Sequence, residues 1–252
     1  MARIPIALQL YTVRDDAAKD FVGTLKQVAA MGYEGVEFAG YGGLSAVEMK
    51  KLLDDLGIKP AGTHCGMDDL RDRLNELVDY AKTIGNKYIV CPGMPGEYHA
   101  SAEGYKRAGE FFNEAGAKLR KEGLTLCYHN HSAEFRAFDG KYGFDILFGA
   151  AKPTNLKVEL DLYWVKYGGE DPVKYIVRYA KRLPLIHLKD MANDEKRSFA
   201  EVGEGILDLD TIFIACRLAG VKWYIVEQDT CKGPPLESAR ISIENLKKRG
   251  ML

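Results

Sequence analysis

The chain has 252 residues, 46 % of them apolar and 28 % charged, a balance that excludes a disordered, collagen-like or membrane-embedded polypeptide. That length suffices for one large domain with a core of its own and no need of disulfide staples. Thirty-five Lys and Arg against 36 Asp and Glu leave a net charge of −1, so no global field draws the molecule to nucleic acid or anionic lipid, and neither is expected as a partner.

Short runs rich in Ile, Val, Leu and Tyr predict eight strands, at Ile4–Leu10, Tyr33–Phe38, Lys59–His64, Lys87–Cys91, Leu124–His129, Leu156–Leu162, Leu183–His187 and Trp223–Glu227. Their near-continuous apolar character implies burial on both faces, as in a parallel sheet with helical crossovers. Between them the pattern turns helical. In Met67–Ile84 the residues Leu70, Leu74, Leu77, Val78, Ala81 and Ile84 recur at steps that form one buried stripe, which predicts a single amphipathic helix. Ser45 followed by Glu48 fits a capping box, and Asp171-Pro172 offers an N-cap with proline at the first helical position. Gly32, Gly57, Gly85, Gly123 and Gly220 each stand just ahead of a strand, where a left-handed cap ends a helix.

The long connections, Pro92–Ala100, Ser132–Tyr142 and Asp190–Leu207, each follow a strand, so elaboration falls on one face. Eight βα units in this length predict a closed (β/α)8 TIM barrel, a single domain over residues 1–252. After the first strand the chain reads Leu10-Tyr11-Thr12-Val13-Arg14, with no Gly-rich turn, so no nucleotide cofactor is expected. Five widely spaced cysteines without a C-x-x-C pair suit reduced thiols, Cys91 among them as a small buried strand residue. Together with an N-terminus that lacks a signal-like apolar core, they make the cytoplasm the expected location.

The last residues of the eight strands are Gln9, Glu37, His64, Cys91, His129, Asp161, His187 and Glu227. Seven of them are polar or ionisable, and the carboxyl ends of barrel strands are where this fold keeps its chemistry. Asp161, His187 and Glu227, with His129-Asn130-His131 and Glu134 nearby, can surround one divalent ion. Carboxylate and imidazole ligation without Cys suits Mn²⁺, Co²⁺, Zn²⁺, Fe²⁺ or Mg²⁺. Alternation puts His129 and His131 on the same side of the fifth strand. Tyr11 and Trp164 provide apolar walls for a sugar ring. In the plain structural reading Glu159 points away from the neighbours of Asp161 or into a salt bridge, Lys189 and Asp190 pair with each other, and Asp229 caps its loop.

These residues resemble the xylose isomerase-like TIM barrel superfamily, and within it the sugar phosphate isomerase/epimerase group that also contains inosose dehydratase. The similarity is carried by Leu8-Gln9-Leu10-Tyr11-Thr12, Gly35-Val36-Glu37, Tyr128-His129-Asn130-His131 with Glu134-Phe135, Asp161-Leu162-Tyr163-Trp164, His187-Leu188-Lys189-Asp190 and Gly203-Glu204-Gly205. The resemblance implies a metal held by one residue from each of the last four strands, with Asp161, His187 and Glu227 at the last three positions. At the first position, commonly Glu, this chain has His129. Either Glu134 is the ligand and His129 a free base, or His129 is the ligand and Glu134 faces substrate.

A divalent ion chelated by a substrate carbonyl and its neighbouring hydroxyl acidifies the adjacent C–H and stabilises the enediolate. The expected function is therefore isomerisation or epimerisation of a sugar, keto-sugar or cyclitol. His64, His129 and Glu227 are the candidate acid–base groups, and Lys189 lies opposite the developing oxyanion. Gln9, Tyr11, Glu37, His131 and Trp164 are the candidate substrate contacts. The alternative is a keto-sugar or inosose-type dehydratase or eliminating lyase, and below it a carbohydrate-binding barrel without catalysis. Gly203-Glu204-Gly205 reads as a phosphate cradle or as a flexible loop over the site. The sequence is compatible with a homo-oligomer and does not fix one.

Overall fold

The computed structural model describes residues 3–251. Eight parallel strands form the barrel: β1 Ile6–Gln9, β2 Gly35–Phe38, β3 Lys59–His64, β4 Tyr88–Cys91, β5 Thr125–His129, β6 Leu156–Asp161, β7 Leu185–Leu188 and β8 Trp223–Val226. Each pairs with its neighbour in sequence and β8 closes on β1, so the cylinder has no free edge. All eight predicted strands are present: Lys59–His64 has the expected bounds, β7 starts two residues later and ends one residue later than expected, and the other six are trimmed by a residue or two.

Burial follows the alternation of side chains. Outward-facing residues such as Ile6, Leu8, Leu126, Leu156, Val158 and Ile186 join the large core shared with the surrounding helices. Inward-facing Ala7, Ala61, Val90, Cys127, Leu185 and Ile225 form a second, separate apolar cluster inside the barrel. Two residues further along the same strands come Gln9, His129, His187 and Glu227. Period two therefore stacks a polar layer directly on an apolar one.

The helix boundaries obey local chemistry. Ser45 and Glu48 form the reciprocal cap of helix Ala46–Leu56, which Gly57 ends at φ +68°. Asp171 accepts from the Val173 N–H at the start of Pro172–Tyr179. The predicted helix Met67–Ile84 is two helices, Met67–Asp72 and Leu74–Ile84, because Arg73 (φ −128°, ψ 24°) leaves the helical region. The apolar stripe continues across the break, so periodicity could not reveal it. Among the described residues no helix is long and apolar enough to cross a membrane.

Of the long connections, Asp190–Leu207 carries a small hairpin, Asp190–Met191 against Phe199–Ala200. Asp190 does not pair with Lys189. Its carboxylate accepts from the N–H groups of Met191, Gly203, Gly205 and Leu207. The N–H groups of Gly203 and Gly205 that a phosphate would need are thus spent on Asp190, that of Glu204 on the Glu201 carbonyl, and the loop is tied down.

Candidate metal centre

Strand ends deliver the polar layer to one place. The ligand atoms of His129, Asp161, His187 and Glu227 all lie within 4.8 Å of one another, and all four residues are buried. Asp161 ends β6 and caps the next helix, its Oδ1 accepting from the Trp164 N–H at 2.9 Å. Asn130, on the opposite side of β5 from His129, accepts from the Asp161 N–H at 3.0 Å and so fixes the two strand ends together. Asp161 Oδ2 is buried and has no hydrogen-bond partner. Lys189 Nζ is 2.9 Å away, an ion-pair distance outside hydrogen-bonding geometry. An orphaned carboxylate oxygen beside two imidazoles and a second carboxylate is a donor set that fits a divalent cation.

Lys189 is itself buried, with its ammonium 2.7 Å from Glu227 Oε2 and 2.5 Å from Asp229 Oδ1. A charge so placed survives only through its partners. Burial works against its proton, yet Asp161, Glu227 and Asp229 together hold its pKa well above the ordinary value. Burial likewise opposes ionisation of Glu227 and Glu37, but Lys189 and His187 beside Glu227, and His64 and His187 beside Glu37, bring both below the usual carboxylate range. Asp161 goes the other way, pushed up to about 6 by burial against the pull of Lys189.

The imidazoles differ among themselves. Burial, with His187 next in weight, holds the His129 pKa well below its ordinary value. His187 is raised, because Glu159, Glu227 and Glu37 outweigh the burial that opposes its charge. His64 rises to about 9, burial being overcome by Glu37 and Glu159, and His131 falls to about 4 through burial and Lys189.

A cavity of about 290 Å³ opens over these groups, lined by Tyr11, His64, Pro92, His129, His131, Lys189, Glu227 and Asp229. Its size, near the lower end of the roughly 300–1,000 Å³ of ligand pockets, suits a single small ring. Tyr11, 43 % exposed, stands at its rim with the Arg14 guanidinium over one face of its ring, 4.2 Å from the centroid. Gln9 and Glu37, expected as substrate contacts, lie beneath the cavity wall. Gln9 donates to Glu37 Oε2 at 2.7 Å, and Glu37 Oε2 sits 2.7 Å from His187 Nε2. Gly62 makes room for that acid, since a Cβ there would stand 2.2 Å from Glu37 Oε1. Trp164 packs behind His131, with ring centroids 5.5 Å apart, and does not line the cavity.

Glu134 departs from the first of its two expected roles. Its carboxylate accepts from the Tyr128 hydroxyl at 2.6 Å and from the His131 N–H at 2.8 Å, and His129 stands in the four-residue set in its place. The acid set aside as a salt-bridge partner, Glu159, is central: its Oε2 lies 3.1 Å from nitrogens of His64, His129 and His187. Its signal in the sequence was its spacing of two from Asp161, which puts both on the inner face of β6.

The sequence model of the xylose isomerase-like TIM barrel family matches residues 25–249. The chain belongs to this family. An inosose dehydratase of Clostridium perfringens is 23 % identical to this xylose isomerase-like barrel over 258 residues, covering 87 % of the chain and 86 % of its own length. A sugar phosphate isomerase/epimerase from Parabacteroides distasonis superposes with a TM-score of 0.87 at 24 % identity, over 100 % of this chain and 96 % of that one. The IOLI protein, solved with a bound zinc atom, superposes at 0.77 with 14 % identity, over 97 % of each chain. At these identities the solved structures establish the fold of this xylose isomerase-like barrel.

Proposed function

We propose that this chain is a divalent-metal-dependent enzyme that removes a proton from the carbon next to the carbonyl of a sugar, keto-sugar or cyclitol, and so isomerises or epimerises it. The observation that carries the reading is the convergence of His129, Asp161, His187 and Glu227, with Asp161 Oδ2 held by no hydrogen bond, at and just beneath the wall of a ring-sized cavity. When bound, the ion supplies a Lewis acid that polarises the carbonyl and stabilises negative charge on its oxygen. The protein's own groups do the rest. His64 and His131 are the cavity-lining imidazoles outside the ligand set, and each can take or deliver a proton at carbon. Lys189 brings a fixed positive charge to the wall where the oxyanion forms. Tyr11 lines the cavity beside the ring.

A second reading, elimination of water from a keto-cyclitol, is favoured by the inosose dehydratases among the relatives. The cavity wall also holds two imidazoles, as elimination requires: one to take the proton and one to protonate the leaving oxygen. Proton NMR in deuterated buffer with ketoses, keto-sugars and inososes separates the two readings. Exchange at the α-carbon with the carbon skeleton and hydroxyls retained marks isomerisation, and loss of water marks elimination. Metal analysis of protein purified without a histidine tag, repeated on Asp161→Ala and His187→Ala, tests the centre. Retained metal in both variants, or full turnover after exhaustive chelation, would sink the proposal.

A further inference from the structure

Glu159 is fully buried on the inner face of β6, in register with His129 of β5 on one side and with Leu185 of β7 on the other. An acid in such surroundings is costly unless its partners hold it, and its partners are all imidazoles of other strands. Oε2 lies 3.1 Å from His64 Nε2, 3.1 Å from His129 Nδ1 and 3.1 Å from His187 Nε2, while Oε1 makes no hydrogen bond. These contacts select one end of each ring. His129 turns Nδ1 to Glu159 and Nε2 toward Asp161 Oδ2, 3.5 Å away. His187 turns Nε2 to Glu37 and Glu159, and Nδ1 across to Glu227 Oε2 at 2.8 Å. In both rings the nitrogen that meets these acids is the one that faces away from Asp161 and Glu227.

We infer that Glu159 is a positioning residue of the metal centre: by accepting the Nδ1–H of His129, it presents the lone pair of Nε2 to the ion, and its charge lies close beside His187 Nε2, whose own hydrogen bond goes to Glu37. The inference rests on the metal-centre reading above. Its physical content is twofold. An imidazole has two tautomers, and an acid at one nitrogen fixes the proton there and frees the other for ligation. His129 also enters the ligand set without a charge, and a carboxylate directly behind it increases its electron donation to the ion. The same acid ties this pair to His64 on the cavity wall, so the ligand layer and one acid–base candidate share an anchor. Glu37, fixed by Gln9, plays the matching part for His187, and its Oε2 also lies 3.1 Å from His64 Nε2.

The test is Glu159→Gln, which keeps the shape and removes the charge, read by Co²⁺ affinity in competition with a chelator. Co²⁺ stoichiometry, thermal unfolding of the metal-free protein and long-range ¹H–¹⁵N spectra of the histidines complete it. The expected result is a loss of affinity of about 10- to 100-fold, metal-free unfolding at or above the wild-type temperature, and replacement of the single Nδ1–H form of His129 by a tautomer mixture. Introducing the charge directly should restore binding, so His129→Glu in the Glu159→Gln background is expected to hold Co²⁺ more tightly than Glu159→Gln alone. Wild-type affinity in a folded Glu159→Gln protein would overturn the role of Glu159 and leave the metal centre standing. So would a variant that fails to fold, which would make the residue structural, or two ions per wild-type chain with one lost in the variant, which would make the imidazoles around Glu159 a site of their own. A wild-type chain that binds no Co²⁺ would overturn the metal-centre reading itself.

Discussion

The interior of the barrel holds two layers a single pleat apart. The lower one is Ala7, Ala61, Val90, Cys127, Leu185 and Ile225, and the upper one includes Gln9, Glu37, His129, Asp161, His187 and Glu227, all equally buried. The same strands therefore carry packing and chemistry on adjacent steps. The lower layer is stable by exclusion of water, whichever apolar neighbour each residue meets. The upper layer is stable only as a set, because each charge is compensated by a partner from another strand. Glu159, in register with His129 of the upper layer and with Leu185 of the lower, stands at the boundary and turns its carboxylate to the histidines.

If that contrast is right, the largest effect comes from removing the shared cation. Lys189→Met leaves Asp161, Glu227 and Asp229 facing each other, and should cost the metal-free protein about 3–5 kcal/mol. Urea unfolding checks this, and saturating Co²⁺ should return part of the loss by neutralising the same oxygens. An unchanged midpoint would mean that the upper layer does not depend on pairing. In the lower layer, Leu185→Ala should cost roughly 2–5 kcal/mol by leaving a cavity, while the folded protein keeps its Co²⁺ affinity. A joint loss of stability and affinity there would erase the distinction between the layers.

Gly62→Ala probes the seam. The added methyl collides with Glu37, so a loss of about 1–3 kcal/mol is expected together with weaker metal binding, since Glu37 supports His187. Ser45→Ala, in the cap of Ala46–Leu56 on the outside of the barrel, should cost about 1 kcal/mol and leave Co²⁺ affinity untouched. A titration of Co²⁺ against each variant provides the comparison.

Much of this was legible beforehand. Eight strands, their carboxyl-end residues and the caps at Ser45 and Asp171 are local properties, set by periodicity and by hydrogen bonds within a few residues. Asp161, His187 and Glu227 could be named because each stands at, or one residue from, the carboxyl end of a strand. The placement of Glu134 was not legible. It depends on Tyr128 and the His131 N–H capturing the Glu134 carboxylate, contacts made only after the chain turns back on itself in the 3₁₀ turn Ala133–Phe135. The break at Arg73 was hidden for a related reason: a change of helix direction need not disturb the spacing of apolar residues. Gly203-Glu204-Gly205 carried the look of a phosphate loop, and only the placement of Asp190 against its N–H groups shows them occupied.

The sequence by itself determined which residues alternate, where each element stops and what chemistry stands at each stop, because those depend on neighbours along the chain. Only closure of the cylinder decided that Glu159 would lie against three histidines from three other strands, that Lys189 would bind acids from β6 and from the end of β8 rather than its neighbour Asp190, and that Gln9 would brace Glu37 from the adjacent strand. Charges act through space and not along the backbone, so the pairing of a buried polar layer is fixed by which strands the barrel brings face to face.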